Sequence, residues 1–148
     1  MTETNAAPAA PTGALPPYGA PLNLAAAKRV MAAAEAEAVA NGWAVVIAIL
    51  DSGGSLLALH RLDQANLGAV DLAQRKASTA VRFRRPTKFY EDLMAGGAHR
   101  LLSIASEVIM LEGGLPLLVD GVVVGSIGVS GVQSSQDAQV ASAGARAL

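Results

Sequence analysis

The sequence predicts an α+β fold: a five-stranded, mostly antiparallel sheet with the terminal helices on one face. Three observations predict it. The periodic segments run helix, hairpin, helix, three strands, helix, with no repeated βαβ unit. Two pairs of apolar runs are joined by turn chemistry, Asp51-Ser52-Gly53-Gly54 and Asp120-Gly121. Alanine-rich helical segments lie toward both ends. A length of 148 residues suits one ordinary domain.

The N-terminal stretch 1–21 carries Pro8, Pro11, Pro16, Pro17 and Pro21. It reads as a flexible, polyproline-like arm, with residues 22–148 as the single domain. Tyr18 and Leu22 are placed to pin the arm's end. Asn23 is the expected N-cap of the first helix, and Asn41-Gly42 its C-cap. Leu24, Ala27, Met31, Ala34 and Ala38 follow helical spacing, while Lys28, Glu35 and Glu37 lie off that stripe.

Trp43–Leu50 and Leu56–Leu62 read as a hairpin. Both arms lack polar alternation, which predicts a sheet covered on both faces over part of its area. The second helix is expected over Asn66–Phe83, with a core stripe of Leu67, Val70, Gln74, Ala77 and Val81. A second stripe holds Leu72, Lys76, Thr79 and Phe83. A lysine among leucine and phenylalanine suggests a pocket wall or subunit contact. Pro86 ends this helix, and Lys88–Ala95 forms a short one. His99–Ser106 fits neither period, and Glu107–Leu111 reads as a strand.

The richest stretch is Glu112–Gly131. Asp120-Gly121 suits a type I′ turn between Leu115–Val119 and Val122–Ser130. That turn pairs Val119 with Val122, Leu117 with Val124 and Leu115 with Ser126. Gly125 and Gly128 inside a strand signal a bulge or the close approach of another backbone or a ligand. Ser134 is the expected cap of a last helix, Ser135–Leu148, with Asp137 at its third position.

Composition removes several function classes. There is no cysteine, so disulfides, thiolate metal sites and a cysteine nucleophile are out. A net charge of −1 gives no general attraction to nucleic acid or membrane. No signal peptide or apolar span is evident, so a cytoplasmic location is expected. Apolar residues make up 52 % and aromatics only 3 %. Such thin, apolar helices leave more surface than one core hides, which points to a homo-oligomer.

Four constellations can carry chemistry. The Ser130-Gly131 junction before the last helix offers amides to an anion; ordinary helix capping is the plain alternative. Lys76 can hold an anion, act as a base or form a Schiff base, or simply be a snorkelling lysine or make a subunit salt bridge. His60 and His99 can move protons or ligate iron, though lone histidines are usually structural. The basic run Arg75, Lys76, Arg82, Arg84, Arg85 and Lys88 can receive an acidic ligand or be a solvated face. Glu112, beside Gly113-Gly114, is a candidate base or a charge paired with an arginine. No metal motif is present. Arg61, Thr79, Phe83, Gly113, Gly114, Ser130 and Gly131 are the candidate ligand-binding positions around the candidate catalytic set Lys76, His60, Glu112 and His99.

The segments PYGAPLNLAAAKRVMAAAEAEAVANGW, AILDSGGSLLALHRLD, LAQRKASTAVRFRRPTKFYED and LEGGLPLLVDGVVVGSIGVSGVQSSQDAQVASAG resemble the GlcG/HbpS-like haem-binding family. The resemblance spans roughly residues 17–148. It implies a profilin- or PAS-like sandwich, dimers that assemble further, often into octamers, and a small-molecule ligand, haem or a corrinoid. It also leaves room for a cofactor-independent enzyme acting on a small anionic or aromatic catabolite, or a non-catalytic accessory module. In haem-binding members an iron ligand comes from the N-terminal helix. Here that helix has no histidine, tyrosine or cysteine, and Met31 is its only methionine. His60 and His99 are the remaining imidazoles. AHRLLSIASEVIM departs from the glycine- and proline-bearing loop expected there, so His99 and Arg100 mark a loop special to this chain.

Overall fold

The computed structural model describes residues 13–148. The first twelve residues of the expected arm lie outside the described residues. Four helices and four strands follow in the order α1 (Leu24–Asn41), β1 (Val46–Asp51), β2 (Leu56–Arg61), α2 (Gly68–Phe83), α3 (Lys88–Ala95), β3 (Gly114–Val119), β4 (Val122–Ser130) and α4 (Ser134–Ala145). A 3₁₀ turn, His99–Ile104, sits between α3 and β3. The fold class is α+β, with four antiparallel strands rather than five, in the order β2-β1-β4-β3.

The missing fifth strand is Glu107–Leu111. Its backbone turns instead of pairing: Glu107 N donates to Ile104 O, and Ile109 N to the Thr79 hydroxyl. Val108 and Ile109 are nevertheless buried. Apolar content gives this segment a strand's appearance, while its donors go to a turn and a side chain.

Local signals set the element ends. Asn23 Oδ1 accepts the Ala26 amide at 2.8 Å, and Gly42 ends α1 in the left-handed region. Asp120 and Gly121 both have positive φ, as a type I′ turn requires. The hairpin register differs from the sequence expectation beyond its last pairs. Val119 faces Val122 and Leu118 faces Val123, but Leu117 then faces Gly125, so Val124 is an extra residue. Leu115 therefore pairs with Ile127, not Ser126. The bulge reverses the parity of β4: Val124, Ile127 and Val129 share one core, while Val123 faces the other.

Two layers of helix cover the sheet. Val45, Ile47 and Ile49 pack with Ile127, Val129 and Leu117 against Val30, Ala34, Val140 and Ala141 of α1 and α4. Each fully buried valine, leucine or isoleucine there contributes about 1.5–3 kcal/mol. The opposite positions, Val46, Ala48 and Leu50, meet Ala69, Ala73, Ala77 and Val81 of α2.

The α2 core stripe also differs from the expectation. Leu67 is largely exposed, Val70 and Gln74 are half-buried, and Ala69, Ala73, Ala77 and Ala80 face the sheet. The cause lies in β4. A Cβ on Gly128 would stand 2.0 Å from Ala73 O and 2.5 Å from Ala77 N. Helix backbone lies directly on strand backbone there, so only small residues fit between them.

The arm's end is held. Val123 N donates to Pro17 O, and Gly19 N to Val123 O. The Tyr18 hydroxyl donates to Val81 O at 2.7 Å, at the end of α2.

Candidate functional site

Most of the sequence-derived candidates lie around Lys76, His60 lies apart from them in a groove beside α1, and Arg61 and His99 belong to neither place. The first place surrounds Lys76. Its side chain is 2 % exposed, with Nζ 2.9 Å from Asp137 Oδ2 and 2.9 Å from Val129 O. Asp137 Oδ1 accepts the Val132 amide at 3.2 Å. The anion expected at the junction before α4 is thus supplied by the chain itself. Burial raises the Asp137 carboxyl above its usual range; Lys76 and the Val132 and Gly131 amides pull against that rise.

The sequence places Asp137 as the N3 partner of a Ser134 cap. The capping box is instead Gln133 with Gln136, and the Ser134 hydroxyl donates to Glu91 Oε1 at 3.0 Å. Asp137 is free to turn inward because that box already satisfies the helix start.

Gly113, Gly114, Ser130 and Gly131 do gather around this pair, in structural roles. Gly113 has φ 128°, and a Cβ there would lie 2.9 Å from Lys76 Nζ. Its carbonyl accepts from Val129 N. Gly114 N donates to the Thr87 hydroxyl. Ser130 is buried, and Gly131 abuts the Ala44 backbone. Glu112 lies at the rim, with its carboxylate 3.7 Å from Lys88 Nζ, so its partner is a lysine and not an arginine. Thr79 is buried and occupied by the Ile109 amide. Phe83 packs edge-on against Tyr90, with ring centroids 5.9 Å apart. Gly113 and Gly114 lie directly against Lys76 and leave no open space beside it.

The second place is a groove of about 360 Å³ between α1 and the edge strand β2. Leu24, Met31, Ala32, Leu57 and Ala58 give it an apolar floor, the Leu59 side chain turns to the α2 face, and Lys28, Glu35 and His60 supply the polar groups. The groove arises because β2 has only β1 beside it, leaving its outer edge open. His60 and Glu35 are in direct contact through Nδ1 and Oε1. Arg61, next along the strand, lines a separate polar hollow with Leu62, Asp63, Gln64 and Ala65. His99 is exposed on the 3₁₀ turn. The structure therefore does not bring Lys76, His60, His99 and Glu112 into one site.

Sequence reasoning missed Glu35, Lys28 and Met31 as partners of His60. The one available signal was that Lys28 and Glu35 lie seven residues apart, on one side of α1. Among the described residues no group of three or more histidines, aspartates or glutamates could hold a metal ion. No described helix is long and apolar enough to cross a membrane.

Comparison with known proteins adds a family context. The family described as Haem degrading protein HbpS-like matches residues 22–146. Protein GlcG of Escherichia coli (strain K12) is 44 % identical over 104 residues, covering 70 % of this chain and 77 % of that one. The crystal structure of a double mutant of Streptomyces reticuli HbpS superposes with a TM-score of 0.80 at 35 % identity, covering 97 % of each chain. The crystal structure of a PduOC:Heme complex gives a TM-score of 0.77 at 28 % identity, over 86 % of this chain and 95 % of that one.

Proposed function

The chain belongs to the HbpS-like family, and on that footing we propose that it binds a tetrapyrrole, haem in the first instance, in the groove between α1 and β2. The observation that carries this is the groove's donor set. An imidazole stands at the rim of an apolar trough, with a lysine on the facing helix. Haem presents a flat apolar ring, an iron that accepts imidazole nitrogen, and two carboxylates. Leu24 and Leu57 would cover the ring, His60 would ligate the iron, and Lys28 would meet a carboxylate. A volume of about 360 Å³ falls within the usual range for small-molecule sites. The haem complex of the PduOC relative supports the same reading.

Bound haem would supply redox and oxygen chemistry. This chain's own residues bind it, orient it and limit its contact with water. Buried Met31 forms part of the floor, and the exposed Leu24 extends the apolar surface. The exposed Leu67, Leu102, Leu111 and Leu118 support a homo-oligomer, which light scattering of the purified chain would measure.

A cofactor-independent enzyme built on Lys76 and Glu112 has less support. The Lys76 ammonium already has Asp137 and Val129 as partners and is sealed from solvent.

Haemin titration tests the proposal. The expected result is a Soret band at micromolar protein, altered by His60→Ala and weakened by Lys28→Glu. The same titration of His99→Ala should match the unmodified chain. Absence of a spectral change at micromolar protein, or loss of the band only with His99→Ala, overturns it.

A further inference from the structure

We propose that Glu35 is the positioning residue for His60, selecting the ring nitrogen that the groove can use. This rests on the reading of the groove as a haem site and extends it to a residue that does not touch the ligand.

The argument begins with which atoms can donate. The Glu35 carboxylate is an acceptor only, and its contact is with His60 Nδ1. A neutral imidazole in that contact must carry its proton on Nδ1. Nε2 is then left with the lone pair, and it is the nitrogen able to bind iron. The two residues come from different elements, Glu35 from α1 and His60 from β2. They bridge the groove's walls, so the carboxylate fixes ring orientation as well as tautomer. His60 is largely exposed, and Leu57 and Ala58 are the β2 residues beside it in the groove. Without Glu35 the ring would turn freely, and its proton would be shared between both nitrogens.

Nothing else on α1 takes this part. Glu37 turns away from the groove, accepting from Gln139 Nε2 at 2.7 Å and from Asn41. Lys28, one groove wall with Glu35, has no acceptor for the ring proton. A carboxylate behind a ligating histidine makes the imidazole more electron-rich. It thereby favours the oxidised metal, and its loss commonly weakens binding about ten- to a hundredfold.

The test uses the full chain and four variants: Glu35→Gln, Glu35→Ala, Glu37→Gln and His60→Ala. In the ligand-free protein, nitrogen NMR of His60 should show the proton on Nδ1, and Glu35→Ala should shift it toward Nε2. With haemin, Glu35→Gln should keep the histidine-ligated spectrum, lose about ten- to a hundredfold in affinity, and raise the reduction potential. Glu37→Gln should change none of these. Circular dichroism of each variant separates these effects from misfolding. If Glu35→Gln and Glu35→Ala match the unmodified chain in tautomer, affinity and potential while His60→Ala loses the ligated spectrum, this inference fails and the haem reading stands. If His60→Ala leaves the haemin spectrum unchanged, both fail.

Discussion

The Lys76 ammonium lies 2.9 Å from the Asp137 carboxylate, and both side chains are almost wholly sealed from solvent. The pair ties α2 to the start of α4 beneath the end of β4. It is held further by the Val129 carbonyl and the Val132 amide. Removing one charge leaves the other buried alone, at a cost of about 3–5 kcal/mol. Lys76→Met and Asp137→Leu should each lower stability by about that much. The double variant should lose clearly less than the sum. Urea unfolding of the four proteins at neutral pH measures this, and additive losses would mean the charges do not depend on each other.

Asp137 also gives a pH prediction. Burial raises its carboxyl above the ordinary 3.8, so the folded state holds this proton more tightly than the unfolded chain. Stability from that proton is present below 3.8 and is lost as pH rises through the raised value. Asp137→Asn removes this dependence. The stability difference between the two proteins should therefore drift against the unmodified chain as pH climbs through the window above 3.8. Parallel profiles across that window would contradict the assignment.

Gly128 and Gly68 should respond oppositely to alanine. At Gly128 the new methyl meets the α2 backbone, so Gly128→Ala should cost about 3 kcal/mol or more through overpacking. At Gly68, the first residue of α2, nothing lies within 4 Å and φ is not positive. Gly68→Ala should stabilise by about 0.4–1 kcal/mol. Thermal unfolding distinguishes them, and a harmless Gly128→Ala would show that α2 can lift off the sheet.

The Tyr18 hydroxyl reaches two carbonyls, Val81 O at 2.7 Å and Arg82 O at 3.0 Å. Tyr18→Phe should cost about 0.5–1 kcal/mol, since the site is half-exposed and water can replace the donor. Hydrogen exchange should rise for residues 17–22 and for the last turn of α2. Unchanged exchange there would mean that the strand-like pairing at Val123 holds the arm without the tyrosine.

Short-range chemistry was the legible part of this chain. Asn23, Gly42 and Asp120-Gly121 act within a few residues, and each does what its type and neighbours imply. Gly128 also announced a close approach, though not which element would come. Lys76 stood out because a lysine shared a face with leucine and phenylalanine. Its partner did not, because 61 residues separate it from Asp137, whose local pattern reads as a helix cap. The α2 stripe was misread because leucine and valine outweigh alanine in any apolar count, whereas the bare strand surface selects for small size. Gly125 signalled a bulge, but its effect on the face each residue takes was hidden, since a continuous valine-rich run keeps no record of parity. His60 was visible, and Glu35, 25 residues earlier, was seen only as a position off the helix stripe.

The contact of α2 on Gly128 has a practical consequence for redesign. The sheet's two sides offer unequal room for change. On the α2 side helix and strand touch backbone to backbone, so each added carbon must displace main chain. On the α1 side the outermost strand is half uncovered, and side chains there can grow or shrink without moving the frame. Efforts to alter what this chain accommodates should vary Leu24, Ala32 and Leu57, leaving Ala73, Ala77 and Gly128 fixed as the chassis.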